Sequence, residues 1–429
     1  MKRLLVSAYG CEPGRGSEAG VGWNWVLQMA KHNRLHVITR RNDREKIESS
    51  IPAEVAGNLS FTYYDTPRVL QRIKRKEKGL YLYYLLWQIG IIPIVRRLLR
   101  EKRFDYTMHL TFGSLWMPTF LPFFRTPFIW GPVGGGDGVP RSLLHILPPR
   151  QRLVQTMRYA LIATSFMNPL VAIPSRKASV ILCRTGNNVR AIPARYRHKT
   201  RVILETAMDD AVFAYRRTAG NGAFEGIQDD RVELLVTGRL VPFKNVMMAV
   251  EAFSGIAANH PEAHLTIIGK GPERSRIERF VAERGLADRI RMIGEMPRAE
   301  LLAELTHADI YLLPSLREGG SWSLMEAMAV GLPSVCLDWT GMGMITTDET
   351  SVRVTPGGYE RTRDDFAQAI ELLIDDEPLR RRMGMAARER IRNRFSWNGV
   401  ADRMETVFAE LDGDGRANQT NQATRKRKG

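Results

Sequence analysis

The chain has 429 residues, and its 63 Lys and Arg outnumber its 46 Asp and Glu, so the formal net charge is +17 at pH 7. Because 44% of the residues are hydrophobic and 25% are charged, the composition is that of a globular protein and excludes collagen, a disulfide miniprotein and a wholly disordered chain. The length predicts about two domains. The three cysteines, Cys11, Cys183 and Cys336, are far apart, which favours a reducing compartment and argues against a zinc ribbon.

Short β-branched runs alternate with helical stretches, which predicts parallel sheets flanked by helices. Residues 211–228 are rich in Gly and Ala without a pattern, so we predict a hinge there. Two Rossmann-like domains, 1–210 and 229–395, are therefore expected, with ligands at the carboxyl ends of their strands. The predicted strands are residues 2–9, 35–40, 59–64, 106–111, 127–130, 179–183 and 201–204 in the first half, and 232–237, 264–268, 291–293, 310–313 and 334–337 in the second.

The end of the chain predicts one more element. Residues 396–411 have the pattern of an amphipathic helix, and residues 412–429 are polar, end in basic residues and are predicted to be disordered. At the other end, residues 2–9 are interpreted as a buried strand rather than a signal peptide, because the apolar run is short and Glu12 and Arg15 follow it.

Two uncharged apolar runs, Gly79–Val95 and Tyr159–Ser175, are shorter than the ~20 residues of a spanning helix and contain proline. Each fits either a buried helix or an element at a membrane interface. Basic residues flank the first run and favour contact with anionic headgroups. These are Arg72, Lys74, Arg75, Lys76 and Lys78 on one side and Arg96, Arg97, Arg100, Lys102 and Arg103 on the other.

A glycine-containing loop, Gly14–Gly20, follows the first strand and precedes an apolar-periodic helix. Glycines let the backbone approach a ligand, and a helix N-terminus favours an anion. The same residues also fit a simple tight turn. The dinucleotide-binding fingerprint is absent, because no glycine follows at its spacing and no acidic residue ends the second strand.

The loop Thr237–Asn245 follows the first strand of the second half and carries Arg239 and Lys244. Two cations at the carboxyl end of a strand suit a diphosphate, with Arg as a planar fork and Lys as a point charge. The alternative is a solvated basic loop. It is not a Walker A loop, because the order of glycine, lysine and hydroxyl residue is missing.

The strongest motif is the segment Pro314–Ala329, in which a strand ends in a loop bearing Glu318. Gly319 and Gly320 open a helix that carries Glu326, so backbone N–H groups there are able to hold phosphate. The carboxylates are able to accept hydrogen bonds from sugar or ribose hydroxyls. The alternative is that Glu326 is a surface charge and that Glu318 caps a turn.

These segments together resemble the retaining glycosyltransferases of family 4. The resemblance is carried by TGRLVPFKN, by EGGSWSLME with its two glutamates, and by EPGRGSEAGVGW near the start. It implies the α/β fold called GT-B, in which two Rossmann-like domains face each other. The segment FSWNGVADRMETVFAEL is similar to the closing helix of the family, which crosses back to the first domain.

The resemblance also implies a role for each matching residue. Arg239 and Lys244 are expected to bind the donor diphosphate, Glu318 to orient the donor sugar, and Glu326 to hold the ribose hydroxyls. His109 matches an active-site histidine of relatives, although a lone histidine at a strand end is as often structural. The donor or nucleotide site is predicted to comprise Gly14, Gly16, Arg239, Lys244, Glu318, Gly319, Gly320, Ser321 and Glu326. Gly134, Gly135 and Asp137 are candidates for the acceptor side, with a simple turn as the alternative.

The predicted reaction transfers a hexose from a nucleoside-diphosphate sugar to a lipid-linked or polysaccharide-precursor acceptor, in envelope or exopolysaccharide biosynthesis. Neutralising the leaving diphosphate is expected to be the largest catalytic term, with no metal or cofactor. The one Asp-x-Asp sequence, at residues 412–414, lies in the polar tail. No protein nucleophile is evident, so we predict same-face attack, with the departing phosphate taking the acceptor's proton.

The basic, aromatic first domain predicts a cytoplasmic enzyme that is peripheral on the cytoplasmic face of an anionic membrane. Residues 68–103 hold eleven Lys and Arg against two Glu, but no nucleic-acid partner is predicted, because the known binding modules are missing. Interleaved Tyr and Trp fit a headgroup belt better than a base-stacking platform. Other interpretations are a nucleotide-sugar epimerase of GT-B fold, a sugar-nucleotide sensor, and a non-catalytic membrane-binding or nucleic-acid-binding protein.

Overall fold

The structure is a computed structural model that describes residues 1–67, 79–216 and 231–426, apart from the side chains of Ser17 and of residues 414–426. It contains two compact units, each built on one parallel sheet. The first unit comprises Met1–Gly136, Ile162–Glu205 and Trp397–Gly429, and the second comprises Asp137–Leu161 and Thr206–Ser396. Two doubly wound parallel sheets are the architecture of the GT-B fold, as predicted.

The first unit has a seven-stranded sheet in the order β3-β2-β1-β4-β5-β6-β7. Its strands are β1 (Arg3–Ser7), β2 (Arg34–Thr39), β3 (Leu59–Tyr63), β4 (Tyr106–His109), β5 (Phe128–Val133), β6 (Ala178–Cys183) and β7 (Thr200–Val202). Its helices are Ser17–Ala30, Arg44–Ser49, Ala53–Ala56, Leu80–Gly90, Ile92–Glu101, Pro169–Lys177, Gly186–Ala191 and Trp397–Lys426. The strand order reverses between β1 and β4, which is where doubly wound sheets bind ligands.

The first apolar run forms a helix whose inner face is part of the core. Tyr83, Tyr84 and Trp87 are buried there and pack around Tyr9. Among the described residues, the stretch Leu80–Glu101 is the one that is long and apolar enough to cross a membrane, a test that buried core helices also pass. The basic residues predicted at 72–78 lie outside the described part of the chain.

The C-terminal helix, Trp397–Lys426, packs on the first unit, as the resemblance implies. Asn33 Nδ2 donates to Glu405 Oε1 at 2.5 Å, and the rings of Tyr106 and Phe408 stack with centroids 5.6 Å apart. The helix continues past residue 411, through most of the segment for which we predicted disorder. Once a helix is nucleated by packing, each added residue gains one hydrogen bond, so the helix extends readily.

The second unit has a six-stranded sheet in the order β10-β9-β8-β11-β12-β13. Its strands are β8 (Val232–Thr237), β9 (Ala263–Ile268), β10 (Ile290–Ile293), β11 (Ile310–Leu313), β12 (Ser334–Leu337) and β13 (Ser351–Val354). Its helices are Val246–Ile256, Arg274–Glu283, Arg298–His307, Trp322–Val330, Thr340–Ile345, Tyr359–Asp375 and Glu377–Arg394, with most of Pro149–Ala163. The edge strand β13 was not predicted.

The boundaries of the units differ from the predicted ones in one major respect. Residues 137–161, which we predicted in the first domain, belong to the second unit. The Trp339 indole N–H donates to the Gly138 carbonyl at 2.8 Å and anchors this segment. Part of the predicted hinge forms the short 3-10 turn Asp210–Ala214, and residues 217–228 lie outside the described residues.

Candidate active site

The strand order of the second sheet reverses between β8 and β11, which lie side by side. The loop with Arg239 and Lys244 leaves the carboxyl end of β8, and the loop with Glu318 leaves that of β11. Parallel strands end at the same edge, so these two loops meet at the point where doubly wound folds bind ligands.

Lys244 and Glu318 contact each other at this edge. Lys244 Nζ donates to Glu318 Oε1 at 2.5 Å, and Ser315 Oγ donates to the same oxygen at 2.7 Å. Both side chains of the ion pair are largely buried. A lysine and a glutamate that are 74 residues apart in sequence therefore form one charged pair, as the motif interpretation requires.

The backbone of the β8 loop is shaped by local conformational preferences. Gly238 has φ of +132°, which a side chain rarely permits, and Asn245 has φ of +52°, which Asn tolerates better than most residues. Between them, Pro242–Lys244 forms a 3-10 turn. The N–H of Leu316 donates to the carbonyl of Phe243 at 2.9 Å, which ties this turn to the β11 loop.

Arg239 lies on the same loop, and its side chain is exposed. Its guanidinium carbon is 5.9 Å from the centroid of the Phe243 ring, and that of Arg317 is 5.5 Å from the same ring. Burial, followed by the nearby charge of Arg158, lowers the pKa of Arg317. Positive charge is thus concentrated around Phe243, and Arg317 is a cation that our sequence analysis did not single out.

The glycines of the β11 loop are required by close packing. A Cβ at Gly320 would lie 1.9 Å from Thr206 Oγ1, and a Cβ at Gly341 would lie 1.5 Å from the Gly319 carbonyl oxygen. Ser321 is the N-cap of the helix Trp322–Val330, where its hydroxyl accepts from the N–H of Leu324. Gly319, Gly320 and Ser321 therefore lead into a capped helix beside Glu318.

Glu326 is buried on that helix and is not a surface charge. Arg298 Nε donates to Glu326 Oε1 at 2.6 Å, and Arg298 Nη1 lies 3.7 Å from Asp209 Oδ2. Burial raises the pKa of the Glu326 carboxyl, and Arg298 opposes this rise. Glu318 and Glu326 both lie near Tyr311, whose pKa is raised to about 12 chiefly by burial.

Thr340 is a further site residue that sequence reasoning missed. Its Oγ1 accepts from the N–H of Glu318 at 3.3 Å, and the N–H of Gly341 donates to the Glu318 carbonyl at 2.9 Å. Thr340 has φ of +52°, an unusual conformation for a β-branched residue. The available signal was a Gly-containing segment after the strand β12, at the same sheet edge.

The Gly14–Gly16 loop of the first unit is clamped by charge. Arg15 Nη1 donates to Glu12 Oε2 at 2.7 Å, and Lys46 Nζ donates to Glu12 Oε1 at 2.6 Å. Burial opposes ionisation of Glu12, but its bonds to Lys46 and Arg15 outweigh burial and lower the pKa of this carboxyl. Gly14 has φ of +65°, and Gly16 is the N-cap of the helix Ser17–Ala30.

His109 ends β4 and is buried. Its Nε2 lies 3.4 Å from the Tyr84 hydroxyl oxygen, and burial lowers its pKa to about 4. The ring is therefore neutral at neutral pH. Both β1 and β4 border the point where the order of the first sheet reverses, so His109 and the Gly14–Gly16 loop lie at the same kind of position within their unit.

The segment from Gly134 to Asp137 is well packed. The N–H of Gly134 donates to the Gly113 carbonyl at 2.6 Å, and the indole N–H of Trp116 donates to the Gly135 carbonyl at 3.0 Å. These bonds build the turn that our alternative interpretation describes. Asp137 is buried, belongs to the second unit and acts electrostatically on Arg317.

A charged network in the first unit was also missed. Arg184 Nη2 donates to Glu18 Oε1 at 3.2 Å, and Arg184 Nη1 donates to Glu205 Oε1 at 3.1 Å. Burial opposes the charge on Arg184, but Glu205 and Glu18 outweigh it and raise the pKa of the guanidinium. The N–H of Gly113 also donates to Glu18 Oε1, so this network supports the Gly134 turn. Among the described side chains, no three His, Cys, Asp or Glu come together in a metal-binding group.

The chain has sequence similarity to glycosyltransferases. Residues 222–390, within the second unit, match the family model described as glycosyl transferases group 1. Alpha-D-kanosaminyltransferase of Streptomyces kanamyceticus is 28% identical over 55% of this chain and 61% of its own length, so the match spans less than two thirds of that relative. The phosphatidylinositol N-acetylglucosaminyltransferase protein of Arabidopsis thaliana is 24% identical over 77% of this chain and 70% of its own.

The fold has solved counterparts. Sucrose-phosphate synthase of Thermosynechococcus elongatus has a TM-score of 0.64 at 17% identity, over 96% of this chain and all of its own. HepE of Anabaena, solved in complex with UDP-glucose, has a TM-score of 0.59 at 15% identity, over 96% and 100% of the two chains. The family match and these relatives support a glycosyltransferase of GT-B fold, and with it the predicted class of enzyme, a hexosyltransferase.

Proposed function

We propose that the chain is a retaining glycosyltransferase of family 4 that transfers a hexose from a nucleoside-diphosphate sugar to a lipid-linked or polysaccharide-precursor acceptor. The observation that carries this proposal is the ion pair of Lys244 and Glu318 at the switch point of the second sheet. It brings a cation for the diphosphate and a carboxylate for sugar hydroxyls within one hydrogen bond of each other, beside the glycines of the β11 loop.

In the proposed mechanism, the cations stabilise the charge that develops on the leaving diphosphate. Lys244 has three N–H donors, so it is able to keep its bond to Glu318 while donating to a phosphate oxygen. Arg239 is exposed at the same loop and is available as a planar fork. Stabilisation of this kind is usually the largest single contribution to catalysis.

Bond exchange at the anomeric carbon is proposed to take place on one face. The bond from the anomeric carbon to the diphosphate oxygen breaks, and the electron pair leaves with the diphosphate. The acceptor hydroxyl oxygen bonds to the same carbon, and its proton passes to the departing phosphate. This route uses no protein nucleophile, so a trapped covalent glycosyl-enzyme would contradict it.

The setting that we propose is the cytoplasmic face of an anionic membrane, in envelope or exopolysaccharide assembly. Support comes from the net charge of +17, which is attracted to anionic headgroups. The name of the Arabidopsis relative contains a lipid, phosphatidylinositol, which makes lipid-linked acceptors the first class to try.

The test begins with a panel of nucleotide sugars in thermal shift, with UDP-glucose first, because a ligand of the native state raises the unfolding midpoint. The donor that binds is then offered with lipid and glycan acceptors. In Glu318→Ala we expect kcat to fall about a hundredfold or more while the Kd for UDP changes little. In Lys244→Ala we expect the Kd for UDP to rise about tenfold or more, because a charge-assisted hydrogen bond is lost.

The exposed Glu360, in the first turn of another helix of the second unit, provides the control variant Glu360→Ala. We expect it to bind and turn over like the wild type. Full turnover in Glu318→Ala would contradict the proposal. Release of an epimerised nucleotide sugar would favour the epimerase, and tight donor binding without transfer to any acceptor would favour the sensor.

A further inference from the structure

The helix Pro149–Ala163 has its apolar side chains on the outside. Leu153, Val154 and Met157 are 61%, 55% and 57% exposed. With Arg150 they occupy positions i, i+3, i+4 and i+7, so all four share one side of the helix. We define these four residues as the outer face.

The opposite side of the same helix is the one that packs against protein. Gln155 is buried, and the Tyr159 hydroxyl donates to the Val139 carbonyl within the second unit. A helix on the surface of a globular protein ordinarily buries its apolar stripe and exposes its polar side. Here the arrangement is inverted, and a contiguous exposed apolar patch marks an interaction site.

The charge around this helix identifies the partner. From Gly138 to Leu204 the sequence contains twelve Lys and Arg and no Asp or Glu. Arg150 is exposed within the outer face itself, and Arg152 is exposed beside it, with a hydrogen bond from Nη2 to the His145 carbonyl at 3.1 Å. A surface that combines apolar side chains with uncompensated positive charge is complementary to anionic lipid, whose headgroups attract the arginines while the acyl region accepts the Leu, Val and Met.

We infer that the outer face of the helix Pro149–Ala163 inserts into the surface of a membrane that contains anionic lipid, and so docks the second unit there. This inference rests on the proposed function only for its purpose, which is access to a lipid-linked acceptor. It also relocates the predicted interfacial element, because the aromatic residues of the first apolar run, Tyr83, Tyr84 and Trp87, are buried in the core.

The test measures sedimentation of the full chain with vesicles of phosphatidylcholine, alone and mixed with phosphatidylglycerol. The variant Leu153→Gln/Met157→Gln removes two apolar side chains without changing the charge, and Gln is compatible with a helix. The matched control is Leu372→Gln/Met385→Gln, which removes the same two residue types from exposed positions on other helices of the second unit. Thermal unfolding and UDP affinity check that each variant is folded.

We expect the wild type and the control to bind the mixed vesicles, and Leu153→Gln/Met157→Gln to bind about tenfold or more weakly, because each inserted side chain contributes through burial of apolar area. Binding of the wild type is expected to weaken in phosphatidylcholine alone, at high salt and in Arg150→Gln.

Several results would overturn the inference. Equal binding of the variant and the control would show that another surface docks, and absence of wild-type binding to anionic vesicles would remove the partner. Conversion of a dimer to a monomer by the variant, without vesicle binding, would assign the outer face to a second copy of the chain. A gel shift with RNA that the variant abolishes would assign it to nucleic acid.

The proposed function is tested separately by transfer from a nucleotide sugar to an acceptor soluble in water. If that transfer occurs but vesicle binding does not depend on the outer face, only the docking inference fails. If vesicle binding depends on it but no sugar is ever transferred, only the proposed function fails.

Discussion

The ion pair of Lys244 and Glu318 is predicted to stabilise the protein even without a ligand. The Nζ–Oε1 distance is 2.5 Å, and the side chains are 16% and 12% exposed. At an effective dielectric constant of about 20, two unit charges at this distance attract by about 7 kcal/mol. Desolvation of both groups offsets most of this attraction, so we expect a net coupling of about 1–3 kcal/mol.

The coupling is measured with a double-mutant cycle of Lys244→Met and Glu318→Gln, by urea unfolding at neutral pH followed by tryptophan fluorescence. We expect Lys244→Met alone to lower the free energy of unfolding by about 1–3 kcal/mol, because it leaves a largely buried carboxylate without its cation. The double variant is expected to be closer to the wild type than the sum of the single variants, because both charges are removed together.

Arg361 and Asp365 form the control cycle, with Arg361→Met and Asp365→Asn. Their charged atoms are 3.7 Å apart and their side chains are 83% and 43% exposed, so a coupling below about 0.5 kcal/mol is expected. The reasoning is refuted if the two cycles give the same coupling, since burial and short distance would then not distinguish the pair at the candidate site.

Gly341→Ala is predicted to cost about 1–3 kcal/mol of stability and to weaken UDP binding, because its Cβ would collide with the Gly319 carbonyl, whereas Gly255→Ala, with open space around its Cβ, should be neutral or slightly stabilising in urea unfolding. Because burial raises the pKa of Glu326, its contribution to stability is largest below its ordinary pKa of 4.5 and declines as the pH rises, so the stability of Glu326→Gln relative to wild type should improve from acid to neutral pH; a flat difference would contradict burial of the charge. Because burial lowers the pKa of His109 to about 4, the folded state resists protonation, and its stability should fall as the pH drops from 6.5 toward 4; that part of the pH dependence should disappear in His109→Asn.

Most of the fold was predictable because buried parallel strands are short apolar runs with turn residues at their ends. All twelve predicted strands are present, with ends shifted by a few residues. The thirteenth, β13, was missed because it is a four-residue edge strand in which Arg353 interrupts the apolar pattern. The length of the final helix was missed because composition alone predicted a polar tail, whereas packing on the first unit nucleates a helix that continues.

The candidate site was predictable where its residues follow strand ends. The pairing of Lys244 with Glu318 follows from two loops at the ends of adjacent strands. Thr340 was missed because its contact with Glu318 depends on a positive φ, and no local pattern marks that conformation in a threonine. Arg298 was missed because it reaches Glu326 from a separate helix.

The amino-acid sequence by itself determined the two parallel sheets and the loops that carry the charged motifs, because strand periodicity, glycines and prolines act over a few residues. Only the tertiary structure decided which charges meet, which carboxylate is buried, and which unit holds residues 137–161. It also decided that one apolar run supplies core residues while the outer face of the helix Pro149–Ala163 faces solvent. These properties depend on contacts between residues far apart in the chain, and such contacts are set by packing rather than by local preference.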